Sequence, residues 1–428
     1  MKKLFPAVLC LLLPVTVFAQ QNAPIGPSSG GGLVASSASI PNYTANGGLP
    51  KWQACRAKVK ANTANCRVLM IGDSTTQGQD GSFDGVANDG HQFSIPNELA
   101  SDLGLYGINA SGASLIGGGN LANIGILAAF DTRITANNWS LAVCTGGPCV
   151  NKQFIQNTDT SAFIFAPQDS AASFPSNVLQ TDTLEVIGIG YSGASTLNVN
   201  QNGGSTLGSV NFNTGSNQIV KGIITGTLSA GPWEHVCASA STGACIITSL
   251  RAYNSAVSEA SIMNLGWSGA HVTDWANTGA TPFDPISYIN FVAPDFCVID
   301  LTINDAHDGT ATATYTADFQ AIINACKNSG DVLIVTGNPT QPATTTYANQ
   351  LIYVNLAKAL ATTNNVPILD MWTNLCGTLS GSTCPRGGWL FGMGAALNGG
   401  FMAAADPYHM SVAGYQLYAT FIAQILSQ

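Results

Sequence analysis

The segment Val68–Gly78 reads Val-Leu-Met-Ile-Gly-Asp-Ser-Thr-Thr-Gln-Gly and carries the strongest structural signal in the chain. Its four consecutive apolar residues favour a short strand buried on both faces, as in a parallel sheet that is covered by helices. The apolar run ends at Gly72-Asp73-Ser74, so a hydroxyl lies at the carboxyl end of a central strand, where open α/β sheets bind their ligands. Asp and Ser are also ordinary turn residues, and the tripeptide alone is a weak indication of catalysis.

Apolar runs of the same kind recur in the second half of the chain. They alternate with segments whose apolar residues have helical spacing, such as Phe319, Ile322 and Ile323. Strands that alternate with helices predict a parallel sheet with both faces covered. The predicted strands in this half are Asp295–Leu301, Val332–Gly337 and Val366–Asp370.

Residues 135–255 show a different sequence pattern. Short runs rich in β-branched residues, for example Thr183–Ile187 and Thr196–Asn200, are separated by Asn-Gly-Gly and Gly-Ser turns. This pattern predicts an antiparallel sandwich. We therefore predict a three-layer α/β/α domain formed by residues 51–134 and 256–428, interrupted by an inserted all-β domain at 135–255.

The amino terminus predicts export. Two lysines precede an apolar run at Leu4–Leu13, and Val17-Phe18-Ala19 fits a signal-peptidase site. We predict a signal peptide at 1–19 and a flexible leader, rich in Gly, Ser and Pro, at 20–50. Because the apolar run is too short to span a bilayer and no later stretch reaches 18 apolar residues, the predicted location is the periplasm or the extracellular space.

The composition restricts the classes of partner. Charged residues make up only 9% of the 428 residues, and the formal net charge is −9. A surface made largely of neutral polar groups suits an exported protein that contacts neutral polymers. The negative charge disfavours nucleic acid, because it would repel the phosphates.

Ten cysteines remain once Cys10 has been removed with the predicted signal peptide. An even number in an oxidising compartment predicts disulfides between close neighbours. A zinc site is the alternative, but the chain has neither a CxxC pair nor an HExxH helix. The expected neighbouring pairs are Cys55 with Cys66, Cys144 with Cys149, Cys237 with Cys245, and Cys376 with Cys384. The remaining Cys297 and Cys326 are expected to join a strand to its following helix.

The far end of the chain supplies partners for Ser74. Hydrolysis of an ester near neutral pH needs a nucleophile, a base and donors for the oxyanion. Ser74 is the candidate nucleophile and His409 the candidate base, while Asp406 is placed to accept from the other imidazole nitrogen. Ordinary alternatives exist for single residues, since Asp406 by itself would suit a helix cap and His409 a plain loop position.

Four ordered motifs resemble the conserved blocks of the SGNH (GDSL) hydrolases. They are Gly72-Asp73-Ser74, Asn264–Gly269 (Asn-Leu-Gly-Trp-Ser-Gly), Asn304-Asp305 and Asp406-Pro-Tyr-His409. The resemblance implies a flavodoxin-like α/β/α fold, a Ser74-His409-Asp406 triad, and an oxyanion hole formed by the N–H groups of Ser74 and Gly269 and the Asn304 amide.

Two features depart from the family pattern. Thr302 stands where the third block has a glycine, and the second block follows Ser74 by nearly two hundred residues. Asn109-Ala110-Ser111-Gly112 lies at the more usual distance, but Gly269 has the fuller sequence context and is our choice. No Gly-x-Ser-x-Gly elbow is present, which disfavours an ordinary α/β-hydrolase.

The predicted insertion resembles the jelly-roll, carbohydrate-binding-like modules of some SGNH esterases. Tyr191 and Trp233 are candidate sugar-stacking residues, with core aromatics as the alternative. The expectation is a secreted serine esterase that removes acyl, chiefly O-acetyl, groups from a polysaccharide without a metal or organic cofactor. The alternatives are a lipase or arylesterase of the same fold and a non-catalytic sugar-binding protein.

Overall fold

The computed structural model describes residues 48–79, 90–144, 149–167, 179–238, 243–279, 282–382, 384–385, 402, 406 and 408–428. The predicted signal peptide, and the predicted leader as far as residue 47, lie outside these residues.

The strands belong to one parallel and two antiparallel sheets. In chain order they are β1 (Cys66–Gly72), β2 (Ala110–Ser111), β3 (Ser114–Ile116), β4 (Ile134–Ala136), β5 (Ser140–Val143), β6 (Gln153–Asn157), β7 (Ala162–Phe165), β8 (Thr181–Gly190), β9 (Thr196–Gln201), β10 (Gly208–Asn211), β11 (Gln218–Ser229), β12 (Trp233–Cys237), β13 (Cys245–Tyr253), β14 (Ala260–Gly266), β15 (Phe296–Asp300), β16 (Asp331–Val335) and β17 (Ile368–Leu369).

The helices lie mainly before β3 and after β14, with one between β3 and β4. In chain order they are α1 (Pro50–Lys60), α2 (Ser74–Gln77), α3 (Ile95–Leu105), α4 (Ile124–Phe130), α5 (Val272–Ala276), α6 (Pro285–Val292), α7 (Ile303–Asp308), α8 (Thr312–Lys327), α9 (Tyr347–Asn364), α10 (Met371–Cys376) and α11 (Val412–Leu426).

The parallel sheet has the order β17-β16-β15-β1-β14-β2. Apart from the edge strand β2, its strands follow the 2-1-3-4-5 order of flavodoxin-like folds, with the switch point between β1 and β15. Residues 68–71 of β1 are at most 1% exposed, as expected for a central strand with both faces covered. The predicted fold class, an α/β domain with an inserted β domain, is confirmed.

The two antiparallel sheets form a sandwich. One has the order β10-β9-β12-β7-β4 and the other β11-β8-β13-β6-β5. Alternating side chains of both sheets share one hydrophobic core, to which β7 contributes Phe163 and Phe165 and β8 contributes Leu184 and Val186. Because every second side chain of a strand faces this core, short β-branched runs joined by turns form a two-sheet sandwich.

The sandwich reaches back beyond the predicted start at residue 135. Strand β3 pairs with β13, and Leu115, Leu121 and Phe130 belong to the core of the sandwich. The predicted boundaries at 135 and 255 stay a prediction, but the sandwich core draws on the chain from β3 onward.

Covalent links hold several elements together. All five predicted disulfides are present and are confirmed. The pair between Cys297 and Cys326 ties β15 to α8, as the sequence predicted for a strand and its following helix. Among the helices in the described part of the chain, none combines the length and the apolar run needed to cross a lipid bilayer.

Candidate active site

The first sequence motif forms a tight turn from β1 into the short helix α2. Asp73 precedes the helix and its Oδ1 accepts the N–H of Thr75 at 2.8 Å. This contact satisfies a backbone donor at the helix start and fixes the turn. Ser74, the first residue of α2, is 8% exposed and lies at the carboxyl edge of the sheet, beside the switch point.

Strand β14 and helix α5 hold this turn in place. The Asn264 amide donates to the carbonyl of Gln77 at 3.2 Å, and Trp275 Nε1 donates to the carbonyl of Gly72 at 3.2 Å. A Cβ at Gly266 would lie 2.0 Å from the backbone nitrogen of Gln77, so only glycine lets α2 approach the strand so closely.

The structure brings Ser74, His409 and Asp406 together. His409 Nε2 lies 2.7 Å from Ser74 Oγ across 335 residues of chain. His409 Nδ1 lies 2.6 Å from Asp406 Oδ2. Asp406 can reach the imidazole although it precedes His409 by only three residues. Its Oδ1 also accepts the backbone N–H groups of Tyr408 and His409, at 2.7 and 3.0 Å, and these bonds hold the carboxylate beside the ring.

The protonation of this arrangement follows from its contacts. Burial acts to raise the pKa of Asp406, but the hydrogen bond and the charge of His409 outweigh it and hold the pKa at about 2. Asp406 is therefore a carboxylate and can only accept, so the facing Nδ1 of His409 carries the proton. Nε2 is left as the acceptor for the O–H of Ser74.

A buried acidic pair lies beneath the turn. Asp73 directly follows β1, and Asp300 is the last residue of the adjacent strand β15. Gly72, the last residue of β1, pairs with Asp300. Burial raises the pKa of Asp73 to about 6 and that of Asp300 well above its usual range, and the Asp73 charge raises Asp300 further. The O–H of Tyr418 on α11 lies 2.9 Å from Asp300 Oδ2, which links this pair to the helix that follows His409.

The two predicted oxyanion residues lie on the loops after β14 and β15. Gly269 is solvent-exposed and has φ of +75°, a conformation that favours glycine. Asn304, in the first turn of α7, donates from Nδ2 to the carbonyl of Ala270 at 3.0 Å and so ties the two loops together. Its amide has a second N–H for another acceptor.

Thr302 has a defined role where the family pattern has glycine. Its Oγ1 accepts the backbone N–H of Gly337 at 2.9 Å, so the hydroxyl connects the loop after β15 with the end of β16. The loop is therefore braced by a side chain.

The register of the sheet favours Gly269 over the alternative at Asn109–Gly112. Ser111 on β2 pairs with Ser261, five positions before the end of β14 at Gly266. This offset corresponds to roughly 16 Å along the strand, away from the edge that carries Ser74.

Neither candidate sugar-stacking residue is solvent-exposed, as an aromatic ring that stacks on a sugar would be. Trp233 is 0% exposed and its Nε1 donates to Thr181 Oγ1 at 3.0 Å, so the ring is part of the sandwich core, and the sugar-stacking prediction for it is wrong. Tyr191 is half-buried against the core, and its hydroxyl accepts the N–H of Ala244 at 2.7 Å. Both aromatics satisfy their polar atoms internally, as buried Tyr and Trp usually do.

Sequence reasoning missed the residues that support the site. Asp300 lies within the predicted strand Asp295–Leu301 and Tyr418 in the last helix, and the sequence indicates a functional role for neither. A carboxylate at the end of an otherwise apolar strand is the signal that marks Asp300. No spacing rule connects it with Tyr418, because their contact depends on the packing of α11 against the sheet.

One group of potential metal ligands occurs within the described ranges. It consists of Cys55, Cys66 and Asp295, and it lies away from Ser74 at the opposite end of β1. The two cysteines are joined in a disulfide, so they offer no thiolates to a metal.

Comparisons with known proteins bear on the family and the fold. Residues 231–417 match the GDSL-like lipase/acylhydrolase family, a range that includes Gly269, Asn304, Asp406 and His409 but not Ser74. No curated protein matches the sequence.

Solved structures extend the similarity to the rest of the chain. A peptidoglycan O-acetylesterase structure is 18% identical, with a TM-score of 0.62, and the match covers 88% of this chain and 95% of the other. A lipase/acylhydrolase from Enterococcus faecalis is 18% identical, with a TM-score of 0.30, and the match covers 39% of this chain and 75% of the other. An acetylxylan esterase from Geobacillus stearothermophilus is 20% identical, with a TM-score of 0.28, and the match covers 39% and 73%.

The first of these structures shares the fold over both the α/β domain and the sandwich, since it is matched along nearly its whole length. The family match covers the part of the chain that supplies the imidazole and the carboxylate. The chain has the SGNH hydrolase fold, and its similarity to the GDSL-like lipase/acylhydrolase family over residues 231–417 indicates an ester-hydrolysing enzyme.

Proposed function

We propose that this protein is a secreted serine esterase that removes acyl, chiefly O-acetyl, groups from a carbohydrate polymer. The observation that carries the proposal is the hydrogen-bonded series Ser74 Oγ, His409 Nε2, His409 Nδ1 and Asp406 Oδ2, with separations of 2.7 and 2.6 Å. A nucleophile, a base and a residue that orients the base are the parts that acyl transfer requires.

In the first half of the reaction Ser74 Oγ attacks the ester carbonyl carbon. His409 Nε2 takes the Ser74 proton as the new C–O bond forms, and the Asp406 carboxylate stabilises the resulting imidazolium. When the bond to the sugar oxygen breaks, His409 returns that proton to the leaving alkoxide. The products of this step are the free sugar hydroxyl and an acyl-enzyme on Ser74.

In the second half a water molecule attacks the acyl-enzyme. His409 takes a proton from the water and returns it to Ser74 Oγ as the acyl bond breaks, which releases the carboxylic acid. In both steps negative charge develops on the carbonyl oxygen, and the N–H groups of Ser74 and Gly269 and the Asn304 amide are the proposed donors to it.

The carbohydrate part of the proposal rests on charge and on fold. The side chains around the site include the carboxylates of Asp274, Asp308 and Asp406, and the chain has a net charge of −9. These charges favour a neutral polymer over an anionic one. The fold that the chain shares over 88% of its length is that of an esterase acting on O-acetyl groups.

A substrate panel with matched variants tests this proposal. The wild type, Ser74→Ala and the control Ser101→Ala, a change on the exposed face of α3, are compared on O-acetylated neutral glycans and on p-nitrophenyl esters of increasing chain length. We expect acetate release from the glycans, loss of about a thousandfold or more of turnover in Ser74→Ala, and no change in Ser101→Ala.

The same panel separates the alternatives. A preference for long acyl chains over acetyl esters would indicate a lipase or arylesterase. Glycan binding without any ester turnover would indicate a sugar-binding protein. Either result would overturn the proposed substrate class.

A further inference from the structure

A cluster of aromatic and polar side chains beside His409 has no part in the acyl-transfer steps. Tyr408 lies between the proposed triad residues in sequence, and its ring centroid is 6.4 Å from that of His409. Its backbone is fixed at both ends, since its N–H donates to Asp406 and its carbonyl accepts the Asn338 amide at 2.9 Å. The half-buried ring is therefore held at a constant place next to the base.

His307 orients this ring from the other side. The two rings meet edge to face, with centroids 5.2 Å apart and an interplanar angle of 79°. The Tyr408 hydroxyl lies 3.3 and 3.4 Å from the two nitrogens of His307, while His307 Nδ1 also contacts Thr345 Oγ1 at 3.1 Å. His307 follows Asn304 by one turn of α7, so the aromatic pair adjoins both the base and a proposed oxyanion residue.

A rim of exposed polar groups continues from this pair. Asp308 is 57% exposed and contacts His271 Nε2 at 2.9 Å, and its second oxygen lies 3.7 Å from His307 Nε2. His271 stands two residues after Gly269 and is 26% exposed. Its pKa is raised to about 9, first by Asp274 and further by Asp305 and Asp308, so it is a cation that faces carboxylates.

We propose that Tyr408, with His307 behind it, forms the subsite for the neutral pyranose ring that carries the ester, and that Asp308 and His271 bind hydroxyls of this sugar. The subsite rests on the proposed function, since it assigns a role within that site. Sugars present an apolar face of C–H groups and a polar edge of hydroxyls, and binding sites combine an aromatic surface with a few convergent polar groups to match both.

The position of the cluster supports this assignment. Tyr408, His307 and His271 come from the three loops that also carry His409, Asn304 and Gly269. These residues therefore border the side of Ser74 on which His409, Asn304 and Gly269 lie, and a sugar ring on that side would contact them. Asp308 and Asp274 outnumber the single cation His271, so a uronate ring would be repelled where a neutral ring is accepted.

The test compares a glycan ester with a small ester that has no sugar. For each variant, kcat/KM is measured on an O-acetylated neutral oligosaccharide and on p-nitrophenyl acetate, and the ratio of the two is the readout. We expect Tyr408→Leu to lower this ratio roughly five- to tenfold, chiefly through KM on the oligosaccharide. Tyr408→Phe keeps the aromatic face and should retain the ratio within about threefold, and Tyr106→Leu, an exposed tyrosine after α3, is the control.

A second variant keeps the proposal testable if Tyr408→Leu does not fold. Asp308 is exposed, so its replacement should leave the fold intact. Asp308→Ala should lower the same ratio about threefold. A deacetylated neutral oligosaccharide should also inhibit this variant less than it inhibits the wild type. Equal losses on both substrates would show that Tyr408 acts only by holding His409 and would overturn the subsite, as would unchanged ratios in both variants.

Failure of the proposed function gives a different result. If the wild type hydrolyses p-nitrophenyl acetate but no O-acetylated glycan, the carbohydrate proposal fails and the subsite with it. If the wild type deacetylates the glycan and the variants keep their ratios, only the subsite is rejected.

Discussion

Asp406 shows how single contacts set the chemistry of this site. Its carboxylate is charged because the hydrogen bond and the charge of His409 outweigh burial and hold its pKa at about 2. The charge fixes which nitrogen of His409 carries the proton, and this leaves the other nitrogen free to accept from Ser74. The short spacing from Asp406 to His409 in sequence is possible because the same carboxylate also binds two backbone N–H groups.

Replacing this carboxylate by an amide tests its role. Asp406→Asn should lower kcat by a factor on the order of a thousand, because the amide can present a donor to His409 and stabilises no imidazolium. The lowered pKa also predicts a stability effect, present above the ordinary Asp value near 4 and lost as the pH falls through about 2. Urea denaturation should therefore show a stability difference between wild type and variant that shrinks as the pH falls below about 4. An unchanged kcat would contradict the assignment.

Asn304 allows a test of the oxyanion hole against the alternative second block. Asn304→Ala should lower kcat about a hundredfold with a smaller change in KM, because its amide acts on charge that develops in the transition state. The matched control is Asn109→Ala, whose exposed side chain donates to the carbonyl of Ser258. Steady-state kinetics on p-nitrophenyl acetate would reverse our choice of block if the Asn109 variant lost activity and the Asn304 variant did not.

Among the elements, helices α3 and α11 illustrate how packing perturbs surface charges. Glu98 and Asp102 are four residues apart on α3 and face α11, where they accept from Gln416 at 3.5 Å and Thr420 at 2.7 Å. Burial, together with the charge of Asp102, raises the pKa of Glu98 to about 7. Two like charges at this spacing on a helix oppose each other.

This pair predicts a stabilising substitution. A folded-state pKa above the unfolded value means that the contribution of Glu98 to stability is lost as the pH rises from about 4 to about 7. Glu98→Gln removes this loss and should raise the melting temperature at pH 8 by about 1 °C, which corresponds to about 1 kcal/mol in a chain of this size, with little change at pH 4. Calorimetry at both pH values is the measurement, and a gain that is largest at pH 4 would contradict the sign.

The elements also show what the sequence can predict. The spacing around Phe93–Leu103 predicts a helix, and the structure begins α3 at Ile95 because the Ser94 side chain caps it and Pro96 suits its first turn. Strands β8 and β9 contain the predicted runs Thr183–Ile187 and Thr196–Asn200. Strand β3 was missed because three residues are too few to show a period, and its pairing with β13 is a long-range contact.

For the whole molecule, an ion cluster fixes the sandwich to the α/β domain. Glu185 on β8 is 2% exposed and contacts Arg67 of β1 at 2.6 Å and Arg251 of β13 at 3.4 Å. Arg251 also donates to Ser261 Oγ on β14 at 3.1 Å. The domains are therefore joined by charged side chains as well as by apolar residues such as Ile116 and Ile187, which lie in the core of the α/β domain.

Removing the central charge of this cluster should loosen the junction. Glu185→Gln leaves two arginines without their carboxylate and should lower the free energy of unfolding by about 2–4 kcal/mol. Glu234→Gln on β12, whose side chain is half-exposed, is the control and should change it by less than about 0.5 kcal/mol. Equal stabilities of the two variants in urea denaturation would show that the cluster contributes nothing to the junction.

Only the complete fold explains why the candidate site forms. The motif order predicted that Ser74, Asn304 and His409 would meet, since parallel strands end at one edge of their sheet. The buried position of Trp233 matches the alternative that the sequence left open, a core aromatic. The contact of Asp300 with Tyr418 was beyond prediction, because it depends on which face of α11 is covered.

The claim that Ser74 is the nucleophile activated by His409 can be tested by covalent labelling. The wild type, Ser74→Ala and His409→Gln are treated with a fluorophosphonate, which reacts with activated serines, and the labelled peptide is identified by mass spectrometry. We predict one phosphonate on Ser74 in the wild type, none in Ser74→Ala, and labelling slowed at least a hundredfold in His409→Gln. Labelling of another serine in the wild type, or equal labelling rates in His409→Gln, would contradict the account.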